Sequence, residues 1–218
     1  MQSGGSRSTF QARSRRSRDD LLTALESLLR EKEFSEIGVL EIARRANVSA
    51  GTVYRRYDKK AGFIPALHEL YWKRVAEWEH ANAALIAEAL NGGPTTLQNL
   101  VHIRVSLAYR VMRDLSHLAR PVFLYGRLKP GLLHGHAEEQ LQTATEQLAM
   151  ELERFREEIK RNDLRKAAAF VLYVLQSGLA DHALFKDATV LSGQPVDDAA
   201  FISEITDLLI GYLRLDDY

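Results

Sequence analysis

The chain has 218 residues, 46% of them hydrophobic, with 29 basic and 29 acidic side chains and no cysteine. That length supports one or two domains with a substantial core, and the missing cysteine excludes a disulfide framework, a thiol redox sensor and a zinc–thiolate site. The zero net charge is unevenly spread: residues 1–62 carry 13 basic and 8 acidic side chains and the remainder 16 and 21, a basic head on an acidic body, as expected if only one end meets phosphate.

The N-terminus is polar and basic with no apolar signal-like stretch. The longest uninterrupted apolar run, Ala167 to Leu175, is nine residues, against the ~20 that a membrane-spanning helix needs. The expectation is a soluble, cytoplasmic protein with no membrane partner.

Residues 1–16 are rich in Ser, Gly and Arg and read as a disordered basic arm, either a solvated tail or a strand of arginines reaching for DNA. From about Arg18 to Lys32, Leu21, Leu22, Leu25, Leu28 and Leu29 recur at helical spacing and give one apolar stripe. Phe34 and Ile37 follow as apolar staples in the loop. The stretch Val39 to Lys60, VLEIARRANVSAGTVYRRYDKK, reads as two short helices joined by a tight turn. Ile42, Ala43 and Ala46 form the apolar face of the first helix. Asn47 stands where the chain visits a left-handed conformation, and Ser49 is placed to cap the second helix. Val53 and Tyr57 point inward. Ala50, Thr52, Arg55, Arg56 and Lys59 remain on the open face, a helix-turn-helix over about residues 39–57.

Two spacings carry a family resemblance. I-A-x-x-A-x-V-S-x-G-T-V-Y-x-x-Y-x-x-K, from Ile42 to Lys60, and R-x-x-L-L-x-A-L-x-x-L-L-x-x-x-x-F, from Arg18 to Phe34, resemble the DNA-binding domain of TetR-type transcriptional regulators. Three positions depart from the family pattern: Glu33 and Asn47 stand where Gly is common, and Gly38 replaces a capping Thr that touches phosphate. The resemblance implies DNA contacts from Arg18, Arg44, Ser49, Ala50, Gly51, Thr52, Tyr54, Arg55 and Lys60. Among these, Tyr54 and Lys60 suit phosphate and Ala50, Thr52 and Arg55 face the bases.

Beyond the motif, a helix runs from about Lys59, behind Asp58 as N-cap, into the low eighties. Pro65 lies within it, either kinking it or tolerated in its first turns. Asn91 to Pro94 break the chain, and Thr95 or Thr96 restarts a helix to Leu115 that is apolar nearly all round. Arg104 on this helix needs an internal carboxylate or the acid group of a ligand. ARPVFLYGRLKPGLLHGH reads as irregular, on its Pro and Gly content. A helix from about Ala137 to Arg161 buries Leu141, Ala144, Leu148, Leu152, Phe155 and Ile159. Helices from Leu164 to Phe185 and from about Asp197 to Leu215 carry more apolar surface than one side can bury, so a partner subunit is expected.

The expected architecture is therefore all-α: an arm (1–16), a three-helix helix-turn-helix domain (17–64) and a larger helical ligand-binding and dimerisation domain (65–218). The resemblance implies a homodimer joined through the last two helices, a palindromic double-stranded operator and release by a small-molecule effector, hence a repressor. Aromatic and polar residues in otherwise apolar helices mark effector contacts: His102, Arg104, Tyr109, Phe123, Tyr125, Tyr173, Gln176 and His182. No cofactor motif, nucleophile motif or phosphate-binding Gly loop is present, so no enzymatic activity is expected. The competing readings are a helical metal-binding protein or enzyme using His134 and His136, with His102, His117, Asp181 or His182 nearby, and a DNA-binding factor without a ligand.

Overall fold

The computed structural model describes residues 5–90, 93, 96–133, 136–185 and 197–216, and among them there is no β-strand. The helices are α1 (Gly5–Leu29), α2 (Val39–Arg45), α3 (Ala50–Arg56), α4 (Ile64–Ala81), α5 (Ala83–Leu90), α6 (Leu97–Asp114), α7 (Ser116–Leu128), α8 (His136–Glu153), α9 (Leu164–Val174), α10 (Ala180–Leu184) and α11 (Asp198–Arg214). They form two compact units, one of residues 1–73 with 117–133 and the other of 74–116 with 134–218.

In the first unit the leucine stripe of α1 behaves as its spacing requires: Leu21, Leu22, Leu25, Leu28 and Leu29 are all buried. The helix starts at Gly5 rather than near Arg18. Residues 7–16 hold no proline, and their Gln, Ala and Arg are good helix formers, so a helix nucleated by the leucines propagates back through them. Phe34 and Ile37 close the base of the unit, and Phe63 lies fully buried with its ring stacked on Tyr57, the centroids 3.7 Å apart. Glu33 takes an ordinary extended φ of −66°, which is why the site does not require the expected glycine.

Pro65 is the second residue of α4. Asp58 does not cap that helix: a 3-10 turn from Lys60 to Phe63 intervenes, capped by Lys59. The Ala61 carbonyl, which an amide at position 65 would address in an α-helix, already accepts the Ile64 N–H. Pro65 therefore removes no hydrogen bond and occupies a permitted first-turn position. Of the two readings considered from sequence, this position fits a proline tolerated in the first turn.

The segment from Ala119 onward, expected to be irregular, is largely helix α7. Pro121 sits inside it and is buried with Leu118, Ala119 and Val122; this apolar face offsets the bond that proline removes. Arg120 pairs with Glu33, Tyr125 meets Phe34 edge-on at 5.2 Å, and His117 Nε2 lies 3.6 Å from the buried Glu26 carboxylate. A Cβ at Gly126 would come within 2.8 Å of Leu133 Cδ1, so the Leu133 side chain packs against α7 at this glycine. These contacts place 117–133 in the first unit, which is larger than the 17–64 expected.

The second unit is built around α6, with α11 packed along it. Its buried stripe is Leu97, Leu100, Val101, Val105, Tyr109 and Met112. Thr96 and Asp197 cap α6 and α11 through their side-chain oxygens. Helix α8 ends at Glu153, short of Arg161, in a 3-10 turn at Arg156–Glu158; Leu148, Leu152, Phe155 and Ile159 are buried as expected, but Leu141 is exposed. From Leu164 to Leu184 the chain is one 21-residue helical run, long and apolar enough to cross a membrane by those measures alone. The 18-residue window that passes this test is half buried within the unit, as a core helix is. The run contains a π-helical turn at Leu175–Leu179 that separates α9 from α10.

Pro65→Ala is expected to change the unfolding free energy by less than about 1 kcal/mol and to leave the helical circular dichroism unchanged. A loss of several kcal/mol in chemical denaturation would show that the proline shapes α4 after all.

Candidate nucleic-acid interface

The turn between α2 and α3 is closed by backbone bonds. Ala46 caps α2, and Asn47 follows with φ of 53°. The Asn47 N–H donates to the Arg44 carbonyl at 3.1 Å and the Val48 N–H to the Ala43 carbonyl at 3.0 Å. This is the paired bond pattern of a Schellman motif, and asparagine is the non-glycine residue that enters its left-handed position at least cost. Ser49 then caps α3. Its Oγ accepts the Thr52 N–H at 3.3 Å and lies 3.0 Å from Thr52 Oγ1. Val53 is fully buried and Tyr57 nearly so, which fixes the rotation of α3 about its axis.

With that rotation set, Gly51, Tyr54, Arg55 and Arg56 are exposed and Ala50 and Thr52 half-exposed. Tyr54 keeps 52% of its surface open, unusual for a large aromatic with nothing to cover it. Gly51 is equally telling. A Cβ there would meet only the Ser49 hydroxyl oxygen, at 3.9 Å. Packing within the chain therefore does not require a glycine, which costs roughly 0.5–1 kcal/mol relative to alanine inside a helix. Small residues at the N-terminal end of α3 leave room for another backbone or a base edge to approach.

Other charged residues hold the motif together. Arg45 donates to both oxygens of Glu31, at 2.8 and 3.0 Å, and to Ser27 Oγ at 2.8 Å; this lowers the Glu31 pKa, through the hydrogen bond first and the charge second, and ties α2 to α1. Lys32 reaches Glu41 at 2.8 Å. Gly38 begins α2 with its N–H directed at the Glu41 carboxylate, 3.5 Å away, but offers no side-chain oxygen of its own.

Two residues expected to touch phosphate have partners within the protein. Lys60 Nζ donates to the carbonyls of Phe34 at 2.8 Å and Ser35 at 2.7 Å and lies over the Phe34 ring. Partial burial draws its pKa below the usual lysine range. At most one of its three protons is left for a phosphate, so Lys60 is chiefly a fastener for the turn after α1. Arg18 pairs with Glu69. Arg44 stays exposed, with Nε on the Leu40 carbonyl at 3.4 Å. Arg56, expected on the open face but not among the DNA contacts, stands beside Arg55 on the exposed side of α3.

The residues expected to contact an effector do not form one group. Phe123 and Tyr125 belong to the first unit. In the second, Tyr173 and Gln176 are exposed, and His102 is exposed with Nδ1 3.5 Å from Thr206 Oγ1. Arg104 is half-exposed rather than buried, and its partner is an internal carboxylate: Nε donates to Glu151 at 2.8 Å. Arg104 also edges a small apolar hollow of about 10 Å³, walled by Leu100, Val105, Leu152, Leu175 and Leu209, with room for about one water. Only Tyr109 and His182 come together, their rings 5.9 Å apart, and they bring in Asp198, 3.2 Å from His182 Nε2, which sequence reading had passed over. His134 lies outside the described residues, as does the side chain of His136. Among the described residues no cluster of three His, Asp or Glu side chains is arranged to hold a metal ion.

A short helix packed on a scaffold, a left-handed turn and an exposed, capped second helix with small, aromatic and guanidinium side chains define a helix-turn-helix DNA-binding domain. Residues 21–67 match the family model described as bacterial regulatory proteins, tetR family. Residues 21–67 thus carry a DNA-binding domain of the TetR type. No curated protein sequence matches the chain. Among solved structures it is similar to a transcriptional regulator from Rhodococcus sp. Rha1, with 23% identity, a TM-score of 0.58 and coverage of 90% of this chain and 95% of that one. It is also similar to the fatty acid degradation regulator FadR from Bacillus halodurans (20%, 0.59, 91% and 96%). A TetR family transcriptional regulator from Pseudomonas syringae pv. tomato str. DC3000 matches at 18% and 0.53, covering 89% and 95%. At these identities the likeness extends to the fold.

Gly51→Ala is expected to raise the unfolding free energy by about 0.5 kcal/mol while weakening binding to specific DNA several-fold. Equal or tighter DNA binding by the stabilised variant would mean that nothing approaches α3 closely at Gly51.

Proposed function

We propose that the protein is a cytoplasmic homodimeric repressor that binds a palindromic operator and leaves it when a small molecule occupies the helical second unit. The observation that carries the DNA half of this reading is the open face of α3, where Tyr54, Arg55 and Arg56 stand exposed on a helix whose opposite side is locked by Val53 and Tyr57. Tyr54 and Arg44 serve phosphates, positioning the helix in a major groove. Ala50, Thr52 and Arg55 face base edges, where arginine favours the paired acceptors of guanine and small residues the methyl of thymine. Arg18 and Lys60, being paired already, contribute mainly by holding the frame.

A second copy of the chain is supported by α9 and α11. Phe170, Tyr173 and Leu208 are 44%, 64% and 59% exposed, and the Phe170 ring lies 4.4 Å from that of Tyr212, bridging the two helices. A two-fold pairing of this face would bury the aromatic patch in a four-helix interface. A two-fold dimer would offer two copies of α3 to the two half-sites of a palindrome. Effector release requires only that the ligand bind the operator-competent and incompetent dimers with different affinity.

Two experiments test this. Binding to the DNA upstream of the protein's own gene, read at about 50 and 200 mM salt, is expected to be sequence-specific and to fall steeply as salt rises. Tyr54→Phe should cost about 1 kcal/mol, and Arg55→Ala about 1–3 kcal/mol with relaxed sequence preference. Binding no tighter than to random DNA would refute the regulator's mode of action. Separately, Tyr173→Glu with Phe170→Glu should turn a dimer into a folded monomer in sedimentation, and an unchanged dimer would place the interface elsewhere.

A further inference from the structure

Three segments of the first unit meet at the C-terminal end of α3. Arg18 lies on α1, Glu69 on the part of α4 that belongs to this unit, and Tyr57 is the C-cap of α3. The Arg18 guanidinium donates to the Glu69 carboxylate. That bond first, with the charge of Glu69 and the Tyr57 hydroxyl adding to it, raises the Arg18 pKa above its ordinary value against the effect of partial burial. Burial pushes the Tyr57 hydroxyl up, and the charges of Arg18 and Arg56 oppose it. The two guanidiniums therefore act on the same hydroxyl, at one end of the helix whose face is open. Arg56 is exposed there, and so is Arg16, two residues ahead of Arg18 on α1.

The Arg18–Glu69 pair is not sealed off. The Arg18 side chain keeps 36% of its surface open and that of Glu69 43%, so an incoming anion reaches both. Solvent screens an ion pair in this setting, and such a pair adds little to stability. What Glu69 gives Arg18 is a planar anion with two oxygens. A phosphate gives the same guanidinium fork an equivalent partner.

We propose that Glu69 is a built-in competitor of DNA phosphate, occupying the Arg18 guanidinium and withholding one phosphate contact beside the C-terminal end of α3. In the wild type Arg18 accordingly holds the frame, and its own removal costs little DNA affinity. A phosphate contact carries no base information, so the restraint falls on the sequence-independent part of binding. Freeing Arg18 tightens the hold on operator and on unrelated duplex alike and leaves the sequence preference as it was. This inference rests on the DNA-binding reading above and adds to it a carboxylate, outside the helix-turn-helix, that sets its strength.

The test compares duplex binding by the wild type, Glu69→Gln, Arg18→Gln and the double variant. Each full-length protein is titrated with DNA from upstream of its own gene and with a random duplex of equal length, between about 50 and 200 mM salt. Glu69→Gln is expected to bind both duplexes about five- to tenfold tighter at about 100 mM salt, with a slope of log affinity against log salt steeper by about one. Arg18→Gln should stay within about threefold of the wild type, and the double variant within about twofold of Arg18→Gln. The cycle separates a released cation from a merely deleted negative charge, which would tighten binding with or without Arg18. Circular dichroism checks the fold; should Glu69→Gln lose it, Glu69→Ala, which places the best helix former in α4, is read instead. Unchanged or weaker binding by the Glu69 variant, an unaltered salt slope, or a gain that survives Arg18→Gln would overturn the proposal. A wild type that favours the upstream duplex no more than the random one counts against the regulator reading alone, because the comparison on random duplex still decides the part played by Glu69.

Discussion

Everything the first unit presents to a nucleic acid depends on the left-handed turn at Asn47. That one positive φ allows the Val48 amide to reach back to the Ala43 carbonyl, which reverses the chain within a few residues and sets Ser49 to cap α3. With an extended residue there, α2 would run on or the chain would leave it in another direction, and Val53 and Tyr57 would lose their sockets. A left-handed residue costs an asparagine little, whereas a β-branched side chain in the same position is strained. The geometry of the exposed face of α3 is thus decided by a residue outside that helix.

The charged residues divide their work by what surrounds them. Arg45, Lys32 and Lys60 hold carboxylates or carbonyls of neighbouring segments, while Arg55 lies on the open side of α3. Motif spacing alone places all of these cations near the duplex and cannot tell fastener from contact. In the second unit the balance is different. Most of its core is aliphatic and well covered, yet His182 keeps a buried Nδ1 without a hydrogen-bond partner, at a cost of about 1–3 kcal/mol.

Much of this was legible in the sequence because the features involved are local. The leucine stripe of α1, the asparagine turn, the Ser49 cap and the inward Val53 and Tyr57 all follow from spacing within a few residues, and each is where that spacing puts it. Tertiary context overrode local signals elsewhere. Pro and Gly argued for an irregular stretch after Ala119, but burial of Leu118, Pro121 and Val122 and the fit of Leu133 against Gly126 make it α7. Arg104 looked buried on its helical stripe until Glu151, far away in sequence, drew it outward. Asp198 drew no notice because nothing near it in sequence points to His182; only the packing of the start of α11 against α10 brings it to the imidazole.

The measurement that bears most directly on α3 as the reading element is selection of bound sequences from a random pool of duplex DNA, run with the wild type and with Thr52→Ala. The account predicts an inverted repeat with half-sites about one helical turn apart, and a change of preferred base confined to equivalent positions of the two half-sites in the variant. Enrichment of no motif, or an inverted repeat that Thr52→Ala leaves unaltered alongside an equally indifferent Arg55→Ala, would contradict it.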